Sequence, residues 1–330
     1  MESLHHQLNK NEEMKRIDYI DIAKCFAILC VVIGHVLCYD LYGFDHAWKE
    51  SSLMRFIYSF HMPLFIFLSG LVSVTIIERK FFINDIVKRM HTLLAPFAIV
   101  GGIYSLCING DFQFLFDDMK YGYWYLWVLF AFYLFSYPLA FGGGGKWQYV
   151  MLLAIWFLAR HYVDKVPGAI NDTLSLGLMA RYYPYFLLGN YIKHLKLHEL
   201  AFGSSGVFCF AALVWACSSL LAFKYSEYLI SGAAIFVIMN LCKKMDEANC
   251  KFKNCLVYLG KNTLYIYLFH YFALQLMKTE CFTPFLCEHS NFVIDLLLAA
   301  VPTTIAVLFS IGMKTIVQRE SLLMKIVFGK

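Results

Sequence analysis

Apolar runs long enough to bury a helix in hydrocarbon recur along this chain from residue 17 to residue 317. A helix needs about 20 mostly apolar residues to span a bilayer core. Ten segments approach or meet that length: 17–38, 56–77, 91–109, 121–140, 147–162, 175–193, 202–223, 226–242, 255–277 and 291–317. No polar stretch between them is long enough for a soluble domain, so length alone does not argue for two domains. The predicted fold class is all-α, a polytopic membrane helix bundle of about ten transmembrane helices. Composition agrees: 60% of residues are hydrophobic and 15% charged, against about a quarter charged in soluble domains.

The chain holds 28 Lys and Arg against 23 Asp and Glu, a formal net charge of +5. Such a balance can mark a nucleic-acid binder. Here the basic residues sit in short connections between apolar runs, which argues against nucleic acid and makes them orientation signals. They concentrate in alternate connections, as in Arg79, Lys80, Lys88 and Arg89, and again in Lys243, Lys244, Lys251 and Lys253. The positive-inside rule then predicts that both termini are cytoplasmic. The expected division is a cytoplasmic N-terminal tail over 1–15, a membrane domain over 16–320 and a cytoplasmic C-terminal tail over 321–330. The opening MESLHHQLNKNEEMKR has no cleavable signal pattern, so the first apolar run is expected to be retained as a helix.

The eleven cysteines are scattered, with no CxxC and no Cys/His cluster at zinc spacing, and no metal site is expected. Cys281 and Cys287 share one connection and could pair if it faces an oxidising side. FGGGGKW, residues 141–147, is a phosphate loop only superficially, because Trp147 stands where the magnesium-binding Ser or Thr belongs. It reads as a flexible loop.

The first apolar run, RIDYIDIAKCFAILCVVIGHV over 16–36, carries ionisable residues that hydrocarbon disfavours. Asp18 and Asp21 lie near its start, and Asp21 and Lys24, three apart, share a face and can form a salt bridge. Lys24 and His35 are eleven residues apart. At about 100° per residue they point within about 20° of each other, separated by about 16 Å along the axis. That spacing suits two ends of one long ligand rather than a direct bond. A structural, hydrogen-bonded histidine is the alternative reading for His35.

A second polar set opens the next run in FHMPLFIFLSGL, residues 60–71. His61 is expected near the same end of its helix as His35, so the two imidazoles could line one chamber. A polar anchor at the interface is the alternative. Ser69 with Gly70 marks close packing or a ligand contact. Arg55 precedes this helix, and Arg181 opens RYYPYFLLGN, where three tyrosines beside an Arg suit an anion site or a sugar-stacking wall as well as interface anchoring. LGKNTLYIYLFHY, residues 259–271, sets Asn262 and His270 eight apart, about 80° around a helix, so that they could line the same side.

These segments together resemble the acyltransferase-3 family of integral membrane acyltransferases, and within it the branch of fucose 4-O-acetylase-like enzymes. The resemblance rests on a basic residue, ten residues and a histidine in the first helix, here Lys24 and His35. It extends through FHMPLFIFLSG, the Lys88-Arg89 stretch with Pro96, YWYLWVLF, YYPYFLLGN and LGKNTLYIYLFH, in order over about residues 16–320. It implies about ten helices and transfer of an acyl group, usually acetyl from acetyl-CoA, to a sugar hydroxyl of an envelope or exopolysaccharide glycan. It implies His35 as the catalytic histidine and Lys24 as its basic partner.

On that reading His35 is a general base or, alternatively, carries the acetyl group. Lys24 would neutralise a coenzyme phosphate or hold the pantetheine arm. Arg55, His61, Ser69, Arg181, Asn262 and His270 are the candidate substrate-binding residues. The expected partners are acetyl-CoA, a carbohydrate acceptor and membrane lipids, with no permanently bound cofactor, in a multi-pass inner (plasma) membrane location. The competing class is a transporter or flippase for an envelope glycan precursor, which would need the same intramembrane His, Lys and Arg.

Overall fold

The architecture follows from what hydrocarbon demands of a backbone, that every N–H and C=O pair within its own segment. The computed structural model describes residues 17–73, 82–136, 147–198, 202–218, 226–248, 251–277 and 283–328, which are helical and contain no strand. The segment 141–146, Cys281 and the terminal residues 1–16 and 329–330 lie outside them.

Helix α1, Asp18–Val36, continues through a π-helical turn, Leu37–Leu41. The short α2, Phe44–Glu50, and α3, Ser52–Tyr58, lead into α4, His61–Val72. α5, Phe82–Arg89, joins α6, Ala95–Asn109, through a second π turn, Met90–Leu94. Then come α7, Trp124–Ser136, α8, Trp147–Tyr162, α9, Gly168–Leu174, and α10, Leu176–His194. The last part holds α11, Ser205–Ser218, α12, Ser226–Glu247, α13, Lys253–Lys261, α14, Thr263–Met277, α15, Thr283–His289, α16, Phe292–Arg319, and α17, Ser321–Phe328.

Among the described residues five stretches are long and apolar enough to cross a membrane: Asp18–Leu41, Ser52–Val72, Ile83–Ile108, Ser226–Glu247 and Phe292–Arg319. Trp124–Ser136 and Ser205–Cys217 are apolar but shorter. Several expected boundaries move. Helix begins at Phe82, not residue 91, because FINDIVKR is amphipathic and turns Ile83 and Val87 outward. The second run is broken at Ser59–Phe60, which makes His61 the first residue of α4. The ninth is broken at Asn262, which leaves helical geometry between α13 and α14. Residues 321–328 are no loose tail. They form α17, whose Val327 and Phe328 are buried, with the Phe328 ring 4.9 Å from that of Tyr265.

α1 is the hub, packing against α3, α4, α12, α13, α14 and α16. Lipid is as apolar as leucine, so helix association in a membrane depends on close packing and internal polar bonds. Both are present. Gly70 of α4 lies on the Phe186 backbone of α10, and Gly189 of α10 lies on the Phe67 and Leu71 backbone of α4; a Cβ at either glycine would collide with a main-chain carbonyl. Beside this contact the Asn190 amide donates to Ser73 Oγ at 2.7 Å, and Tyr149 OH donates to Asn190 Oδ1 at 2.7 Å. At the far end of α1 from Asp18, the buried Asp295 carboxylate accepts from Tyr42 OH at 2.5 Å and Ser51 Oγ at 2.6 Å, tying α1, α3 and α16 together. Outward faces are apolar, as in Leu297, Val301 and Leu308 of α16 and Met151, Phe157 and Leu158 of α8.

Candidate active site

His35 lies in the last turn of α1, where α14 crosses it. Its Nδ1 is 2.9 Å from His270 Nε2, and its Nε2 is 3.1 Å from Tyr271 OH. His270 and Tyr271 are consecutive on α14, so their side chains diverge by about 100° and hold the His35 ring between them. The His35 and His270 planes lie within 8° of each other with centroids 5.1 Å apart. With nitrogens 2.9 Å apart, that is an edge-to-edge hydrogen bond, not a face-to-face stack.

The proton positions follow from what each partner can do. The Ile266 carbonyl, 2.9 Å from His270 Nδ1, only accepts, so Nδ1 carries the proton. In the neutral ring His270 Nε2 is then the acceptor and takes the N–H of His35 Nδ1. His35 Nε2 is left with its lone pair, and Tyr271 OH donates to it. The chain runs from the phenol through two imidazoles to a helix carbonyl. His270 is fully buried and Tyr271 is 3% exposed, whereas His35 is only partly buried. Tyr39, 49% exposed, stands beside them, its ring 5.9 Å from His35 and 6.0 Å from Tyr271.

A connecting segment closes the other side of Tyr271. Lys120, Tyr121 and Gly122 have positive φ in succession, 50°, 50° and 95°. A left-handed non-glycine residue costs on the order of 1 kcal/mol or more, so the surroundings must hold two of them. Lys120 Nζ donates to the carbonyls of Asp117 at 2.6 Å and Asp172 at 2.7 Å, strapping the segment to α9. Burial lowers the Lys120 pKa, opposed by the carboxylates of Asp118, Asp117 and Asp172. Tyr267 OH donates to the Gly122 carbonyl at 2.8 Å, and Tyr123 OH to that of Leu268 at 3.0 Å. Any side chain at Gly122 would overlap the Tyr271 hydroxyl.

The remaining predicted residues are spread out. His61 donates Nδ1–H to the Ile57 carbonyl at 2.9 Å and is 2% exposed. The Tyr58 ring stands between it and α1, 4.5 Å from the His61 centroid and against Gly34. Lys24 Nζ is 3.3 Å from Asp21 Oδ1, on the same uninterrupted helix as His35. Arg55 donates to the carbonyls of Trp48 at 3.2 Å and Lys49 at 2.7 Å, clipping α2 to α3. Ser69 Oγ bonds Tyr125 OH at 2.7 Å. Asn262 donates to the Tyr258 carbonyl at 2.7 Å rather than meeting His270. Arg181 pairs with Glu227 at 2.7 Å beside a cavity of about 90 Å³ that Tyr58, Tyr182 and Ser231 also line. That is well below the roughly 300 Å³ at which ligand pockets begin.

The match to known proteins follows the site. Residues 17–312 match the model of the acyltransferase-3 family, described as an acyltransferase domain. The chain belongs to the acyltransferase-3 family. Two relatives are nodulation proteins NolL. That of Mesorhizobium japonicum is 30% identical over 183 residues, 51% of this chain and 46% of the relative. That of Sinorhizobium fredii is 29% identical over 220 residues, 59% of this chain and 56% of the relative. The chain thus matches about half the length of these curated relatives. They support the family but lend the fucose 4-O-acetylase-like branch no support. No solved structure matches.

Membership sets an acyltransferase domain over residues 17–312, and the His35 cluster holds a half-buried imidazole in one tautomer. Tyr271, Tyr39 and Tyr58 were missed by sequence reasoning. The available signal for Tyr271 was its place beside His270 in LFHY, because neighbours on a helix flank whatever ring is set against that face.

Proposed function

We propose that this protein is a membrane O-acyltransferase that moves acetyl from acetyl-CoA to a hydroxyl of an envelope or exopolysaccharide sugar, with His35 as general base. The carrying observation is the lone pair on His35 Nε2, with the ring held from the Nδ1 side by His270 and the half-exposed Tyr39 ring 5.9 Å away. A base positioned for the proton of an attacking hydroxyl contributes about 10²- to 10⁴-fold. The acceptor hydroxyl takes the place of the Tyr271 phenol at Nε2, gives up its proton there, and attacks the thioester carbonyl. The proton then passes from Nε2 to the leaving thiolate. Tyr39 is an aromatic face against which a sugar can pack.

Lys24 lies about 16 Å along α1 from His35, which matches the reach of a pantetheine arm and supports its assignment to the donor's phosphate end. Arg181 and Arg55 serve at most the periphery of the acceptor path, since each is already engaged at exposed positions. The proposed setting is the inner (plasma) membrane, with about ten spans and both termini cytoplasmic.

The test is mass spectrometry of envelope glycans from cells lacking the protein, with the wild type or His35→Ala restored. Loss of one acetyl group per repeat, rescued by the wild type only, is the expected result. Equal rescue by His35→Ala would remove His35 as the base. Unchanged glycan mass with failed glycan export would favour a transporter instead.

A further inference from the structure

We infer that His270 is the positioning residue of this site, fixing the His35 tautomer and sharing the positive charge that His35 acquires when it takes a proton. The inference rests on His35 acting as the base. It replaces the expectation that His270 contacts substrate, because the ring is fully buried and both of its nitrogens are engaged, one by Ile266 O and one by His35 Nδ1.

The geometry is that of a nucleophile–base–orienter relay in which the orienter is an imidazole. In hydrolytic triads a carboxylate accepts the Nδ1–H of the base histidine, so that the opposite nitrogen presents its lone pair. Here His270 Nε2 accepts that N–H, and its own Nδ1–H is spent on a carbonyl one turn back in α14. Among the described residues no carboxylate bonds either ring. The tautomer therefore has one lock: without an acceptor at His35 Nδ1, the ring is free to move its proton to Nε2, which is useless to a general base.

The proton balance is complete without further reactants. The acceptor O–H bond breaks to His35 Nε2 as the hydroxyl oxygen bonds the thioester carbon. His35, now an imidazolium, keeps its Nδ1–H, and the His270 Nε2 lone pair takes a larger share of it. The Nε2 proton then goes to the departing thiolate, and both rings return to their starting tautomers. His270 gains and loses no proton overall, which distinguishes positioning from catalysis.

Two substitutions separate this role from packing. His270→Leu fills the space and removes the acceptor; His270→Gln keeps a carbonyl oxygen able to take the N–H. The first readout is ¹⁵N NMR of histidine-labelled protein in nanodiscs, with the His35 signals assigned by their loss in His35→Ala. In the wild type, His35 Nδ1 should be protonated and Nε2 bare. His270→Gln should keep that pattern and His270→Leu should lose it. The second readout is transfer of labelled acetyl from acetyl-CoA to the host's own envelope fraction. His270→Leu should lower kcat about a hundredfold with little change in KM for acetyl-CoA, and His270→Gln should recover most of the loss. Equal damage by Leu and Gln, a change confined to KM, or a protonated Nε2 in the wild type would each overturn the assignment. Wild-type protein with the expected tautomer but no transfer from acetyl-CoA would overturn the proposed donor and acyl group instead, leaving the lock in place.

Discussion

At the scale of single residues, the site turns on which nitrogen of which histidine is free. Tyr271 donates to His35 Nε2 in the resting arrangement, and in the proposed mechanism it yields that position to the incoming hydroxyl. Tyr271→Phe should therefore cost no more than one neutral hydrogen bond, about 1 kcal/mol or roughly fivefold in kcat/KM, measured by acetyl transfer from acetyl-CoA. A loss of hundredfold or more would mean that the phenol takes part in the chemistry. Sequence alone reached His35 and His270 but could not join them. They are 235 positions apart, and nothing in the chain between them fixes how α14 crosses α1. It paired Asn262 with His270 from helical periodicity, and the break at Asn262 defeats that argument, because periodicity holds only within one continuous helix.

At the scale of elements, two contacts decide whether the site exists. The first is the glycine contact between α4 and α10. Gly189→Leu should force the helices apart, since the added side chain meets the α4 backbone, which has no rotamer with which to retreat. The expected result is a large drop in Tm and in folded yield after extraction in detergent, with a loss of several kcal/mol. The second is the strap over Tyr271. Lys120→Met keeps the length of the side chain but withdraws the donor from two carbonyls while two left-handed residues still have to be held. It should cost about 1–3 kcal/mol, visible as earlier thermal unfolding and as faster hydrogen exchange at Tyr121–Tyr123. Apolar patterning overlaps all five stretches long enough to span among the described residues, but it began the third at residue 91 where the helix begins at Phe82. It could not see the strap, because left-handed lysine and tyrosine carry no sequence signal comparable to glycine's.

At the scale of the whole molecule, the remaining question is how the bundle sits in the bilayer. The bias of Lys and Arg toward alternate connections is the basis for proposing that both ends of the chain are cytoplasmic. Fusions of a fluorescent protein and of alkaline phosphatase to the C-terminus test this directly. Bright fluorescence with an inactive phosphatase is expected, and the reverse would invert the topology. Such an inversion would also move the His35 end of α1 to the donor side, where a coenzyme thioester would enter at Tyr39 and not along α1.

The residue proposed to perform the chemistry is carried by the helix against which six others pack. Damage to α1 is thus paid twice, in reactivity and in architecture. Change is cheapest away from it, on α8, α9 and α11, where side chains face outward. A lineage built on this plan can explore new acceptors at its rim for a long time while its centre stands still.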